Sequence, residues 1–210
     1  MVSAAVACED ADVPRISAAN LSEHRAQTLE RIFAAVSRLS RSQATDDISM
    51  TDVAAAAGVA RTVLYNYFPD KASLLLAFSE RVTEYFVERF ERDLPTSAGA
   101  SERVAVFIRL TLDGLLAHPH PDAAEMSVAL GAEAYHALAG HVAPMQRILA
   151  EIIAEGVRTG EFRPLEPDTA ARSVMGVIGA ERIPLVQGRI GLDEARRAVT
   201  SFVQNALRKE

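Results

Sequence analysis

Apolar side chains recur at three- and four-residue intervals along most of this chain, the mark of helices with one buried face. Between His24 and Leu39 the stripe Leu29, Ile32, Phe33, Val36 and Leu39 predicts a first helix. Ser40 to Ile48 has no period and reads as a connection. Ser49 and Asp52 then stand three apart, like a capping box with Asp in the usual Glu place, and the helix formers Val53 to Ala57 follow. Gly58 supplies a backbone stop, Arg61 to Tyr67 suits another short helix, and Pro69 forbids its continuation. A longer helix from Asp70 or Lys71 carries Leu75, Phe78, Val82, Phe86 and Phe90 up to the break at Pro95 to Gly99.

Farther on, Val104, Phe107, Ile108, Leu112 and Leu115 share one side of a helix over Ser101 to Ala117, which Pro119 and Pro121 close. Asp122 and Glu125 can cap a short helix that weakens around Gly131. Pro144 to Arg158 forms a clear helix with Gly160 just past its end. Asp168 is read as the cap of a segment to about Gln187, apolar around most of its circumference and so buried on several sides, with Pro184 bending or ending it. A last helix over Asp193 to Leu207 places Ala195, Val199, Phe202, Val203 and Ala206 on one face. No strand-like alternation of useful length intervenes. The fold class is all-α, divided into a tail (1–20), a three-helix unit with a helix-turn-helix (21–70), a linking helix (71–94) and a larger C-terminal helical domain (95–210).

Composition narrows the function classes. Cys8 is the only cysteine, so neither an intramolecular disulfide nor a thiolate metal cluster is expected, and a reducing cytoplasm fits best. No stretch approaches the roughly 20 apolar residues that span a bilayer, and the first residues lack the basic start of a secretory signal, so no membrane partner is expected. His118, His120, His136 and His141 lie two and five apart in pairs, not at the i, i+4 spacing of a helical metal pair, so they are read as loop or surface side chains and no metal or cofactor is expected. A glycine-rich phosphate loop, a Gly-x-Ser-x-Gly and a His-Glu-x-x-His are all absent, and no catalytic residue is assigned. The net charge of -6 gives no hint of nucleic acid. Even Leu21 to Ala72 balances Arg25, Arg31, Arg38, Arg41, Arg61 and Lys71 against Glu23, Glu30, Asp46, Asp47, Asp52 and Asp70.

The run from Ser49 to Lys71 changes that picture. At about 100° per residue, Arg61, Thr62, Tyr65 and Asn66 fall within an arc of roughly 140°, while Leu64 points inward toward Val53 and Phe33. A major groove about 12 Å wide admits such a helix. Arg61 can pair bidentately with guanine, Asn66 can read adenine, and Thr62 can touch a thymine methyl or a phosphate. Thr51, Tyr65, Tyr67 and Lys71 carry hydroxyl or ammonium groups suited to phosphates, joined by backbone amides at the starts of the two helices. An ordinary three-helix packing unit with exposed aromatics would share the same spacing.

Leu29, Ile32 and Phe33, the helix from Ser49, the triplet Ala57, Gly58 and Val59, then Leu64, Tyr65, Tyr67, Phe68 and Lys71 with Leu74 and Leu75, together resemble the DNA-binding domain of TetR-family regulators. The resemblance covers about fifty residues at matching offsets. It implies an all-helical homodimer on double-stranded DNA, with Thr51, Arg61, Thr62, Tyr65, Asn66, Tyr67 and Lys71 at contact positions, a fourth linking helix, and a C-terminal domain that binds a small-molecule inducer. Three features depart from it: Ala60 stands where Ser or Thr usually caps the recognition helix, Val63 replaces a common phosphate-binding Thr, and no glycine separates helices one and two. The two C-terminal helices resemble the pair that forms an intermolecular four-helix bundle, where Gly176 and Gly179 would admit another backbone. Phe107, Leu110, Met126, Tyr135, Met145, Leu149 and Met175 would surround a ligand cavity in that architecture, although plain core packing also explains each. The expected function is a repressor released from a palindromic operator by a ligand. An activator, a ligand-independent regulator, and an enzyme or interaction module reusing the fold stay as alternatives.

Overall fold

The computed structural model describes residues 18–42, 47–118 and 142–209, and among these the regular structure is entirely helical. In chain order the helices are α1 (Ala18–Leu39), α2 (Met50–Ala57), α3 (Arg61–Tyr67), α4 (Lys71–Asp93), α5 (Ala100–Ala117), α6 (Ala143–Thr159), α7 (Pro167–Ala180), α8 (Arg182–Val186) and α9 (Leu192–Leu207). Helix α1 packs on α2, α2 on α3, and α5 is the centre of the C-terminal part, touching α4, α6, α7, α8 and α9. The buried hydrophobic side chains form one continuous cluster running from Ile32 and Leu64 through Phe86 and Phe107 to Val203.

Local chemistry accounts for most boundaries. Ser49 and Asp52 make the expected reciprocal capping box at the start of α2, and Gly58 ends that helix at φ 64°, a left-handed conformation that only glycine adopts cheaply. Asp70 accepts from the Ser73 amide and so starts α4 immediately after the Pro69 break. Glu161, on the turn after α6, accepts from the Ala100 and Ser101 amides at the open start of α5. That interaction tethers two segments sixty residues apart in sequence.

Helices α4 and α5 approach closely at Gly114, where a β-carbon would lie 2.2 Å from Phe86 Cε1. The ring is 2 % exposed. It stacks toward Phe90 at 6.1 Å, and Phe90 stacks on Phe107 at 4.3 Å. Arg89 of α4 and Arg196 of α9 both donate to the carboxylate of Asp113 on α5, which ties the long helix to the last one through a half-buried ion cluster.

Four expectations are corrected. Helix α1 begins at Ala18, not near His24, so a tail ending at residue 20 is cut short by helix. The cap of α7 is Glu166, whose side chain accepts from the Asp168 and Thr169 amides. Pro167 takes the first helical position, where its missing N–H costs nothing, and this displaces the cap one residue upstream of it. The segment expected to reach Gln187 divides at Glu181, four residues after Val177 and ahead of Pro184, and only Ala171, Val174 and Ile178 of α7 are buried. On α9 the buried face is Ala195, Val199, Val203 and Leu207, whereas Phe202 is 61 % exposed and Ala206 is exposed beside it.

Candidate nucleic-acid interface

Helix α3 is held by one face and open on the other. Leu64 is fully buried and belongs to the same cluster as Val53, with Phe33 packed against it. Arg61, Thr62, Tyr65 and Asn66 are all exposed, and they occupy the arc expected from helical geometry. Thr51 is exposed in the first turn of α2, and Tyr67 and Lys71 are half-buried at the end of α3 and the start of α4. Ala60 makes no side-chain cap, while its carbonyl still accepts from the Val63 and Leu64 amides. Val63 is an exposed apolar side chain on the same short helix.

The guanidinium of Arg61 lies over the Tyr65 ring, 5.4 Å from its centroid, and donates to the Tyr65 hydroxyl at 3.4 Å. Stacking on an aromatic face restricts a long side chain, and the N–H groups that do not meet the Tyr65 hydroxyl stay open to a guanine edge. Lys71 sits at the positive end of the α4 dipole, a position that opposes a cation locally and favours it only beside an anion.

Charge placement resolves the even balance read from the sequence. Arg31 donates to the Ala57 and Gly58 carbonyls at 2.8 and 2.7 Å, and Arg38 donates to the Ala56 carbonyl, so two arginines of α1 close the end of α2. Arg41 donates to the Ala117 carbonyl at the end of α5. On the acidic side, Asp52 and Asp70 hold helix starts, and Glu30 accepts from Arg81. Around α3 stand Arg61 and one cation that sequence reasoning did not single out, Arg25, whose guanidinium lies 5.1 Å from the centre of the Tyr67 ring. The forty-two-residue separation of Arg25 from Tyr67 carries no local signal.

The capping box also sets an acid response. Asp52 lies below the ordinary carboxylate value of 3.8, because of hydrogen bonds first from the Ser49 side chain and then from its backbone. A depressed folded pKa stabilises the fold above the unfolded value, and that contribution fades as pH falls through the lower folded value. Melting temperatures measured from pH 5 down to pH 2.5 should therefore fall less steeply for Asp52→Asn than for the parent chain. Ser49→Ala should cost about 1 kcal/mol at neutral pH, and parallel pH curves for parent and Asp52→Asn would rule this account out.

Of the seven residues expected around a ligand cavity, Phe107, Leu110, Met145 and Leu149 are packed in the core with at most 3 % exposure. Met175 is partly buried against it, and Met126 and Tyr135 lie outside the described residues. His118 is half-buried with its ring 4.3 Å from that of Tyr85, and His120, His136 and His141 lie outside the described residues. Among the described residues no three His, Cys, Asp or Glu side chains converge as metal ligands, and no helix is long and apolar enough to cross a membrane.

Comparison with known proteins supports this geometry. Residues 32–78 match the family described as bacterial regulatory proteins, tetR family, and residues 108–203 match the tetracyclin repressor-like C-terminal domain. The chain is 28 % identical over 137 residues to the fatty acid metabolism regulator protein of Bacillus subtilis, covering 61 % of this chain and 68 % of that one. Its fold is similar to that of the fatty acid degradation regulator FadR from Bacillus halodurans, with a TM-score of 0.74 at 19 % identity over 87 % of this chain and 97 % of that one. It is also similar to FadR from Bacillus subtilis in complex with stearoyl-CoA, with a TM-score of 0.69 at 20 % identity over 88 % of this chain and all of that one.

Proposed function

The chain belongs to the TetR family of DNA-binding transcriptional regulators, and from that premise we propose that it is a homodimeric cytoplasmic repressor released from a palindromic operator by a small molecule. The observation that carries this reading is the open face of α3, with Arg61, Thr62, Tyr65 and Asn66 exposed opposite the buried Leu64. Residues 21–70 then act as the DNA-binding domain, 71–94 as the linking helix, and 95–210 as the ligand-binding and dimerisation domain. Arg61 and Asn66 read bases with Thr62, and Thr51, Tyr65, Tyr67 and Lys71 bind phosphates. Arg25 joins the phosphate contacts, since its stacking on Tyr67 brings a cation to the end of the recognition helix.

Dimerisation through α7 and α9 is supported by what these helices leave open. Gly176 and Gly179 have nothing within 4 Å of an added β-carbon, and Phe202 stands exposed beside an apolar groove that also involves Val174, Val177 and Ala206. A second copy covers such a groove isologously. Phe202→Asp is expected to give a monomer by light scattering and at least about a tenfold loss of operator affinity. Its helical circular dichroism should stay unchanged, because the side chain is already exposed within one protomer. A Phe202→Asp protein that remains dimeric would exclude this interface.

Two recognition helices must stand about 34–36 Å apart to enter successive major grooves. A ligand that prefers a dimer of another spacing draws the population off DNA, by no more than its differential affinity for the two states. The name of the Bacillus subtilis relative and the stearoyl-CoA bound to its structural neighbour make a fatty acyl compound the first ligand class to try. Phe107, Leu110, Met145, Leu149 and Met175, together with Met126 and Tyr135, remain the residues proposed to border its site. The test is selection of genomic fragments on the purified protein at moderate salt, followed by release with acyl-CoA. Failure to retain any sequence specifically would overturn the regulator reading.

A further inference from the structure

A second cavity, of about 360 Å³, lies away from α3 at the junction of α1, α4 and the end of α5. Phe33, Phe78, Val82 and Tyr85 are among its apolar and aromatic lining residues. Three arginines line it, Arg38, Arg41 and Arg81, together with Glu30. Apolar surface beside several cations is poorly matched to water alone. It is well matched to a compound that has an apolar body and one anionic group.

Each of the three arginines also joins two elements. Arg38 of α1 donates to the Ala56 carbonyl of α2, Arg41 just beyond α1 donates to the Ala117 carbonyl of α5, and Arg81 of α4 donates to Glu30 of α1. A guanidinium carries five N–H donors, so one carbonyl bond each leaves donors at Arg38 and Arg41 for an incoming anion, while Arg81 is shared between Glu30 and, at 3.8 Å, Glu84. The neighbouring His118 reports the local field. Its pKa is held down by burial first and then by the positive charges of Arg41, Arg89 and Arg81.

We propose that this junction is a binding site for a small anion with an aromatic or aliphatic body, distinct from any ligand site in the C-terminal core. The anionic group would be held by Arg41 and Arg81 and the apolar body against Phe33 and Phe78, with Arg38 on the same lining. An occupant bound to these guanidiniums shares them with the bonds that set α1 against α2, α4 and α5. It therefore bears directly on the orientation of the DNA-reading helices, a consequence that rests on the regulator reading above.

The full-length protein is titrated with 1-anilinonaphthalene-8-sulfonate, an apolar-bodied monoanion whose fluorescence rises when it leaves water. Saturable binding to the parent chain is expected, weakened at least about tenfold in Arg41→Gln/Arg81→Gln, which removes both charged contacts. Ala34→Trp, which fills the exposed pocket wall without changing charge, should weaken it comparably, with circular dichroism used to confirm folding. No saturable binding to the parent, or undiminished binding to either folded variant, would overturn the site. The dye should also lower the affinity of the parent for its selected DNA fragments and leave that of the variants unchanged. Loss of DNA binding by the dye-free parent would refute the regulator reading only, because the fluorescence titration needs no DNA.

Discussion

Arg61→Ala is expected to erase base preference at one position of each operator half-site, at a cost of about 1–3 kcal/mol of discrimination per half-site. The side chain is exposed on α3 and is already stacked on Tyr65, so little of its freedom remains to be lost when it meets a guanine edge. Arg61→Lys should lose nearly as much discrimination, because an ammonium cannot offer the planar pair of donors. Lys71→Ala should behave differently. It removes a point charge that only positions the backbone, so affinity falls alike for all sequences, and the slope of log affinity against log salt flattens by about one per protomer. Binding measured on a panel of single-base operator variants at several salt concentrations separates the two. An equal loss across the panel for both substitutions would show that Arg61 does not read a base.

The second large effect is structural and reaches DNA through the long helix. Gly114→Ala should destabilise the protein by about 1–3 kcal/mol, the usual cost of forcing an extra carbon into a packed core. The new β-carbon would meet Phe86 Cε1 at 2.2 Å and Cζ at 2.6 Å. The ring cannot swing aside, because Tyr85 stands 5.6 Å and Phe90 6.1 Å from it, with Phe107 behind Phe90. Relief must come from a shift of α4 against α5. Since α4 begins at Lys71, directly after α3, such a shift is transmitted to the recognition helices, and operator affinity should fall by more than the loss of folded protein explains. Phe86→Leu in the same chain makes room and should recover part of both losses, giving a coupling term in a double-mutant cycle. A Gly114→Ala protein melting like the parent would mean that this crossing is loosely packed.

The DNA-reading unit was legible because its signals are local. Ser49 and Asp52 cap α2 three residues apart, Gly58 turns the chain, and Pro69 stops α3, so each boundary is decided by residues within one or two turns of it. In the C-terminal half the local signals competed. Asp168 is a good cap residue by its chemistry, yet Pro167 at the first helical position assigns the cap to Glu166. Pro184 correctly marked an interruption, but the break falls at Glu181, three residues earlier, as expected when a proline removes the donor to the carbonyl one turn before it. The proposed ligand-site residues were harder still. Phe107, Leu110, Met145 and Leu149 have side chains that suit either a cavity wall or a core, and within one chain they are packed.

The helical class, the exposed face of α3 and the helix-turn-helix that identified the family follow from sequence alone, because periodicity, caps and turns act over a few residues. Where each arginine of this unit comes to rest is a matter of tertiary packing. Arg31, Arg38 and Arg41 look equivalent to Arg25 and Arg61 in the chain, but the first three donate to carbonyls at the ends of α2 and α5, and the other two rest on tyrosines of α3. Tertiary packing also decided that Leu207, not Ala206, completes the buried face of α9 and that Phe202 stands outside it. A period of 3.6 permits both three- and four-residue steps, and the choice between them falls to whatever packs against the helix. Partners in space, unlike partners in sequence, exist only once the chain has folded.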